Sequence, residues 1–105
     1  MARRPTSEQA TTTTVTGATY STTSGDVVIL SSYSATGTVA ITLSTADVKD
    51  GRTITIKDAG GLAGTNDITI STEGSETIDG SATLVISSNY NSTTLVSNGT
   101  NWFII

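Results

Sequence analysis

From residue 18 onward, apolar and polar side chains alternate in short runs separated by turn residues. Val39, Ile41 and Leu43 alternate with Ala40 and Thr42, and Ile54 and Ile56 with Thr53, Thr55 and Lys57. Ile68 and Ile70 flank Thr69, and Leu84 and Ile86 flank Val85. A period of two puts successive side chains on opposite faces of a strand, so such runs have one buried and one open face. The pattern predicts strands at Ala18–Ser21, Val27–Ser31, Thr38–Leu43, Thr53–Lys57, Ile68–Ser71, Thr83–Ser87, Thr93–Val96 and Asn101–Ile105, with a small one at Thr77–Ile78. Between them stand Ser24-Gly25-Asp26, Thr36-Gly37, Asp50-Gly51, Glu73-Gly74-Ser75, Asp79-Gly80 and Asn98-Gly99. Asp-Gly and Asn-Gly are hairpin signals because both residues tolerate positive φ. The expected fold is therefore all-β: a small antiparallel β-sandwich or barrel.

Two segments break the alternation. Val27-Val28-Ile29-Leu30 and Trp102-Phe103-Ile104-Ile105 are apolar on both faces. Such a strand is central in a sheet or packs its outer face on another subunit, and these eight residues are the candidates for a subunit interface. Ser44 to Val48 predicts one helical turn, with Ser44 placed to cap and Asp47 in the capping-box position.

Residues 1–17 are different: polar, Thr-rich and without periodicity. They predict an extended N-terminal arm on a β domain of residues 18–105. Thr11, Thr12, Thr13, Thr14, Val15 and Thr16 have high β propensity and suit addition to a neighbour's sheet edge. Arg3 and Arg4 would meet acidic groups of that partner.

Composition sharpens this picture. The 105 residues allow one domain, and the apolar share of 35% is low against the usual 45–50%. Ser and Thr fill the gap, with 14 and 23 residues, and β-branched Thr suits a half-exposed pleated surface. A thin core gains stability by oligomerising. The net charge is −4, and residues 25–105 alone carry eight carboxylates against Lys49, Arg52 and Lys57. An acidic body makes a poor nucleic-acid binder, since phosphate neutralisation needs clustered Lys and Arg. No segment has the apolar length to span a bilayer, and no apolar run follows Arg3-Arg4 as in a secretory signal, so synthesis in a cytoplasm is expected. The glycosylation patterns at Asn91 and Asn98 then go unused.

Candidate chemistry is sparse. Without Cys or His there is no thiolate ligand, no imidazole base and no disulfide. The loop Asp58-Ala59-Gly60-Gly61-Leu62-Ala63-Gly64-Thr65-Asn66-Asp67 lacks the spacing of a phosphate loop and runs into a strand instead of a helix. Asp58, Asn66 and Asp67 are hard oxygen donors, but their spacing matches no calcium loop, so an architectural connection is the preferred reading. Glu73, Glu76 and Asp79 crowd one turn-rich stretch, and a glycosidase pair needs a cleft that strands this short do not leave. No catalytic residue, cofactor or metal is assigned, and the protein is not expected to be an enzyme.

The run Asp50-Gly51-Arg52-Thr53-Ile54-Thr55-Ile56-Lys57-Asp58, the Gly/Ala/Asn loop, Ile68-Thr69-Ile70, Glu76-Thr77-Ile78-Asp79-Gly80 and the closing Asn98-Gly99-Thr100-Asn101-Trp102-Phe103-Ile104-Ile105 resemble a small β module of tailed-bacteriophage structural proteins. The resemblance spans roughly residues 18 to 105. It implies a homotrimer in the virion and no catalytic residues. A single module without shaft repeats points to a capsid decoration, or cement, protein bound to the major capsid protein on the shell surface. The alternative is a fibre, collar or tail module that binds a host receptor.

Overall fold

The computed structural model describes residues 11–105, which form nine strands: β1 (Thr12–Val15), β2 (Thr19–Ser21), β3 (Val28–Ser31), β4 (Val39–Leu43), β5 (Thr53–Asp58), β6 (Ile68–Thr72), β7 (Thr83–Ile86), β8 (Ser92–Ser97) and β9 (Trp102–Ile104). They build a five-stranded sheet, β1-β3-β5-β8-β9, and a four-stranded sheet, β2-β4-β6-β7. The eight longer predicted strands are present within a residue or two, whereas Thr77–Ile78 forms no strand and Ile78 makes only isolated bridges to Ser81 and Trp102. No helix among the described residues is long and apolar enough to cross a membrane.

The sheets are mixed, which corrects the expectation of an antiparallel fold. From β1 to β6 the chain changes sheet at every strand, so β1, β3 and β5 pair in parallel, as do β2, β4 and β6. A strand that re-enters its own sheet after a single strand in the other has reversed twice and so runs in the same direction as the one before. The result is a flattened coil of three turns, β1–β2, β3–β4 and β5–β6. Direct returns β6–β7 and β8–β9 then close it with antiparallel pairs, and the reversal at β7 brings β8 back antiparallel to β5. Hence only some turn signals make hairpins. Asn98-Gly99 joins β8 to β9, and Asp79-Gly80, with φ of 49° and 87°, closes the tight turn between Ile78 and Ser81. Asp50-Gly51, with φ of 85° at Gly51, carries the chain from one sheet to the other instead.

Alternation decides the core. Val15, Ile29, Ile54, Ile56, Leu95 and Trp102 point inward from one sheet, and Val39, Ile41, Leu43, Ile68, Ile70 and Ile86 from the other. All are buried, and each contributes roughly 1.5–3 kcal/mol of transfer free energy. The predicted helical turn is a 3-10 turn, Thr45–Asp47, and Ser44 does not cap it. The Ser44 hydroxyl donates instead to the Thr22 carbonyl at 2.6 Å, and buried Asp47 accepts the Thr22 hydroxyl at 2.7 Å.

Candidate functional site

The outer face of the five-stranded sheet carries more large apolar side chains than the outer face of the other sheet. In-register rows place Val28 beside Thr55 and Thr94, Leu30 beside Lys57 and Ser92, and Thr53 beside Val96 and Phe103. The Ile105 amide donates to the Thr94 carbonyl, which sets Ile105 at the end of the first row. Lys57 is the one charged residue in these rows, and its ammonium donates to the Tyr90 carbonyl beside the Tyr90 ring. Among the described residues, no carboxylate stands on this face. The opposite sheet differs: Ala40, Thr42, Thr69 and Ser71 line its outer surface, with Val85 as the large apolar residue.

The eight residues expected at a subunit interface divide by direction. Val28 and Leu30 are half-buried on the outer face, and Phe103 and Ile105 are exposed at 39% and 71%. Val27 is also exposed, and Ile104 is exposed with its amide donating to Asp79 Oδ1 at 3.1 Å. Ile29 and Trp102 are corrections: both are 0% exposed and belong to the protomer's own core. Strand alternation turns them inward, and among the described residues the Trp102 indole N–H has no acceptor. Val96, absent from the expected set, lies between Thr53 and Phe103. Its signal was the Leu95-Val96 pair, apolar on both faces.

The Thr11–Thr16 run does not leave the domain. Thr12–Val15 is β1, paired in parallel with Val28–Ser31 of the same chain, and Val15 is buried. Arg3 and Arg4 lie outside the described residues. Asp26 anchors the strand from behind. Its carboxylate accepts the Thr13 hydroxyl at 2.6 Å, the Tyr20 hydroxyl at 2.8 Å and the Thr23 amide at 2.8 Å. Burial pushes the Asp26 carboxyl up, but these donors outweigh it and hold the group below its ordinary value. Burial and the same contact raise the Tyr20 phenol. Sequence reading took Asp26 for a turn residue, and its partners 13 and 6 positions away gave no local signal.

The Gly-rich loop is a cradle for a carboxylate of its own chain. Asp58 is buried and accepts the amides of Gly61 (3.2 Å), Leu62 (3.4 Å), Ala63 (2.9 Å) and Tyr90 (2.9 Å). Burial raises this carboxyl, and the four N–H donors more than offset that, leaving it depressed. Asn66 is equally engaged, accepting the Gly37 amide at 3.0 Å and donating to the Ala35 carbonyl at 2.6 Å.

The three acids considered for glycosidic chemistry hold backbone. Glu73 accepts the Thr45 amide at 2.8 Å, and Glu76 accepts the Thr45 hydroxyl and the Gly74 amide, both at 3.1 Å. Of these, Glu76 lines an open cleft of about 380 Å³ with Thr45, Val48 and Asn101, whereas Asp79 is spent on Ile104. Compared with models of known protein families and with curated protein sequences, the chain matches none.

Proposed function

We propose that this chain is a virion structural protein: a homotrimeric capsid decoration protein that binds the major capsid protein and stabilises the phage head shell. The observation that carries this reading is the outer face of the five-stranded sheet, which gathers five apolar side chains among its threonines and, among the described residues, no carboxylate, on a chain of net charge −4. Val28, Leu30, Val96, Phe103 and Ile105 are the groups that would be covered in the trimer. The resemblance to phage structural modules supplies the virion context. Arg3 and Arg4 are the cations proposed to reach carboxylates on the shell.

The mechanism is adhesion. A ligand that binds only the assembled shell stabilises it by mass action. Three attachment points on one body act together, so weak single contacts sum to a durable one. Synthesis in the host cytoplasm and attachment after shell assembly fit a module of this kind.

Immunogold labelling of virions that contain the protein tests the assignment. Gold spread over the whole head supports decoration. Gold confined to the tail or one vertex replaces it with the fibre, collar or receptor-binding alternative.

A further inference from the structure

We infer that the open end of the coil, formed by the edges of β1 and β2, pairs with the same end of a second copy of this chain across a two-fold axis normal to the sheets. The inference stands apart from the capsid reading and uses a different surface.

Hydrogen bonding shows which groups are free to pair. Val28 and Ser32 donate to the carbonyls of Thr11 and Val15, so Thr11, Thr13 and Val15 bond inward to β3. Thr12 and Thr14 therefore turn their N–H and C=O outward, and both are exposed. In the other sheet Ala40 donates to Ala18 and Thr22 donates to Thr42, which leaves Thr19 and Ser21 outward and exposed in the same way.

Native edge strands are usually blunted by a charge, a proline, a bulge or a covering segment. The far edge of the five-stranded sheet is guarded so: Ile78 bridges to Trp102, and Asp79 takes the Ile104 amide. The β1 and β2 edges have no such guard among the described residues, and residues 9–25 carry no charge at all. Acidic chains can meet there without repulsion. The edges are also preformed, because the buried Asp26 carboxylate holds Thr13 of β1 and Tyr20 of β2 together.

The occupant follows from having two edges at one end that are unguarded among the described residues. A single extended peptide would cover one edge and leave the other. A two-fold axis normal to both sheets maps each edge onto itself with its direction reversed. Antiparallel β1–β1 and β2–β2 pairs then form together. Thr12 of one copy stands opposite Thr14 of the other, and each such pair exchanges two N–H···O bonds.

Hydrogen exchange of the full chain over a dilution series, read beside sedimentation mass, tests this. The amides of Thr12, Thr14, Thr19 and Ser21 should gain protection together as mass rises, while those of Thr13, Val15 and Tyr20 stay protected throughout. Thr14→Pro should abolish the gain, since it deletes an outward N–H and no internal bond; protected Thr13 and Val15 amides in that variant certify its fold, and Ser21→Pro repeats the test on β2. The gain should persist in Phe103→Asp, which disrupts only the sheet face. A mass increase with the four amides still exchanging freely, protection at Thr12 and Thr14 alone, or no association at any concentration overturns the inference.

Discussion

The Asp58 carboxylate accepts the backbone N–H of Tyr90 at 2.9 Å, a contact that spans 32 positions of the chain. Tyr90 sits at φ 64°, a conformation that L residues adopt at a cost of about 1 kcal/mol or more. Its carbonyl accepts the Lys57 ammonium, so neighbouring residues of β5 fix both ends of the strained peptide. The Tyr90 ring in turn lies against Gly61, whose amide is another Asp58 donor. The loop is thus an anion cradle whose anion is built in.

Removing that anion should loosen two loops at once. Asp58→Asn replaces a charge-assisted acceptor with an amide whose NH₂ faces N–H groups. Hydrogen bonds to charged groups contribute roughly 1.5–3 kcal/mol each and are not additive, so a total loss of about 2–4 kcal/mol is expected in urea unfolding. The amides of Gly61, Ala63 and Tyr90 should lose exchange protection in the same variant. A loss under about 0.5 kcal/mol would show the cradle to be incidental.

Gly61 is required for both conformation and space. Its φ is 74°, and a Cβ there would overlap the Tyr90 ring. Gly61→Ala should cost about 1–3 kcal/mol. In the double variant with Tyr90→Ala the steric part disappears and the φ part remains. A double-mutant cycle on unfolding free energy should therefore give a coupling above about 0.5 kcal/mol; strict additivity would place the ring elsewhere.

Much of this was legible from periodicity, and the limits of legibility are physical. Val39, Ile41 and Leu43 announce their buried face because a strand repeats every two residues. Strand order did not follow, since Asp-Gly turns link strands whether they share a sheet or not, and Asp50-Gly51 does the latter. The Thr11–Thr16 run resembled a free arm because Thr13 is polar yet faces inward, its hydroxyl satisfied by Asp26. In Trp102-Phe103-Ile104-Ile105 every residue is apolar, so hydrophobicity alone does not say that Trp102 is core and Phe103 surface. Asp26 and Asp58 were hidden for one shared reason: their donors are distant in sequence, and an Asp beside Gly or Ala reads as a turn.

Acid should unfold the protein through these two carboxylates. Both have folded-state values below the ordinary 3.8. A depressed carboxyl adds stability that is complete above its unfolded value and is lost as pH falls through the folded one. Stability should therefore be insensitive to these groups above about pH 5 and fall steeply below about pH 4. Thermal unfolding followed across that window should show a shallower acid slope in Asp26→Asn, which is already destabilised at neutral pH. An unchanged slope would assign the acid sensitivity elsewhere.

The sheet face makes the sharpest demand on the assembly proposal. Phe103 is 39% exposed and lies beside Val96, so Asp in its place meets water in a lone protomer and loses that water in a trimer that covers this face. Burying an unpaired carboxylate costs several kcal/mol, enough to dissociate a modest interface. Phe103→Asp should thus sediment as a lighter species, while its unfolding free energy measured on the dissociated chain changes by less than about 1 kcal/mol. Ile29→Ala, inside the protomer core, should behave in the opposite way and lose about 2–5 kcal/mol of stability. If Phe103→Asp keeps the parent's association state, this face is not the subunit interface and the trimer proposal loses the surface it rests on.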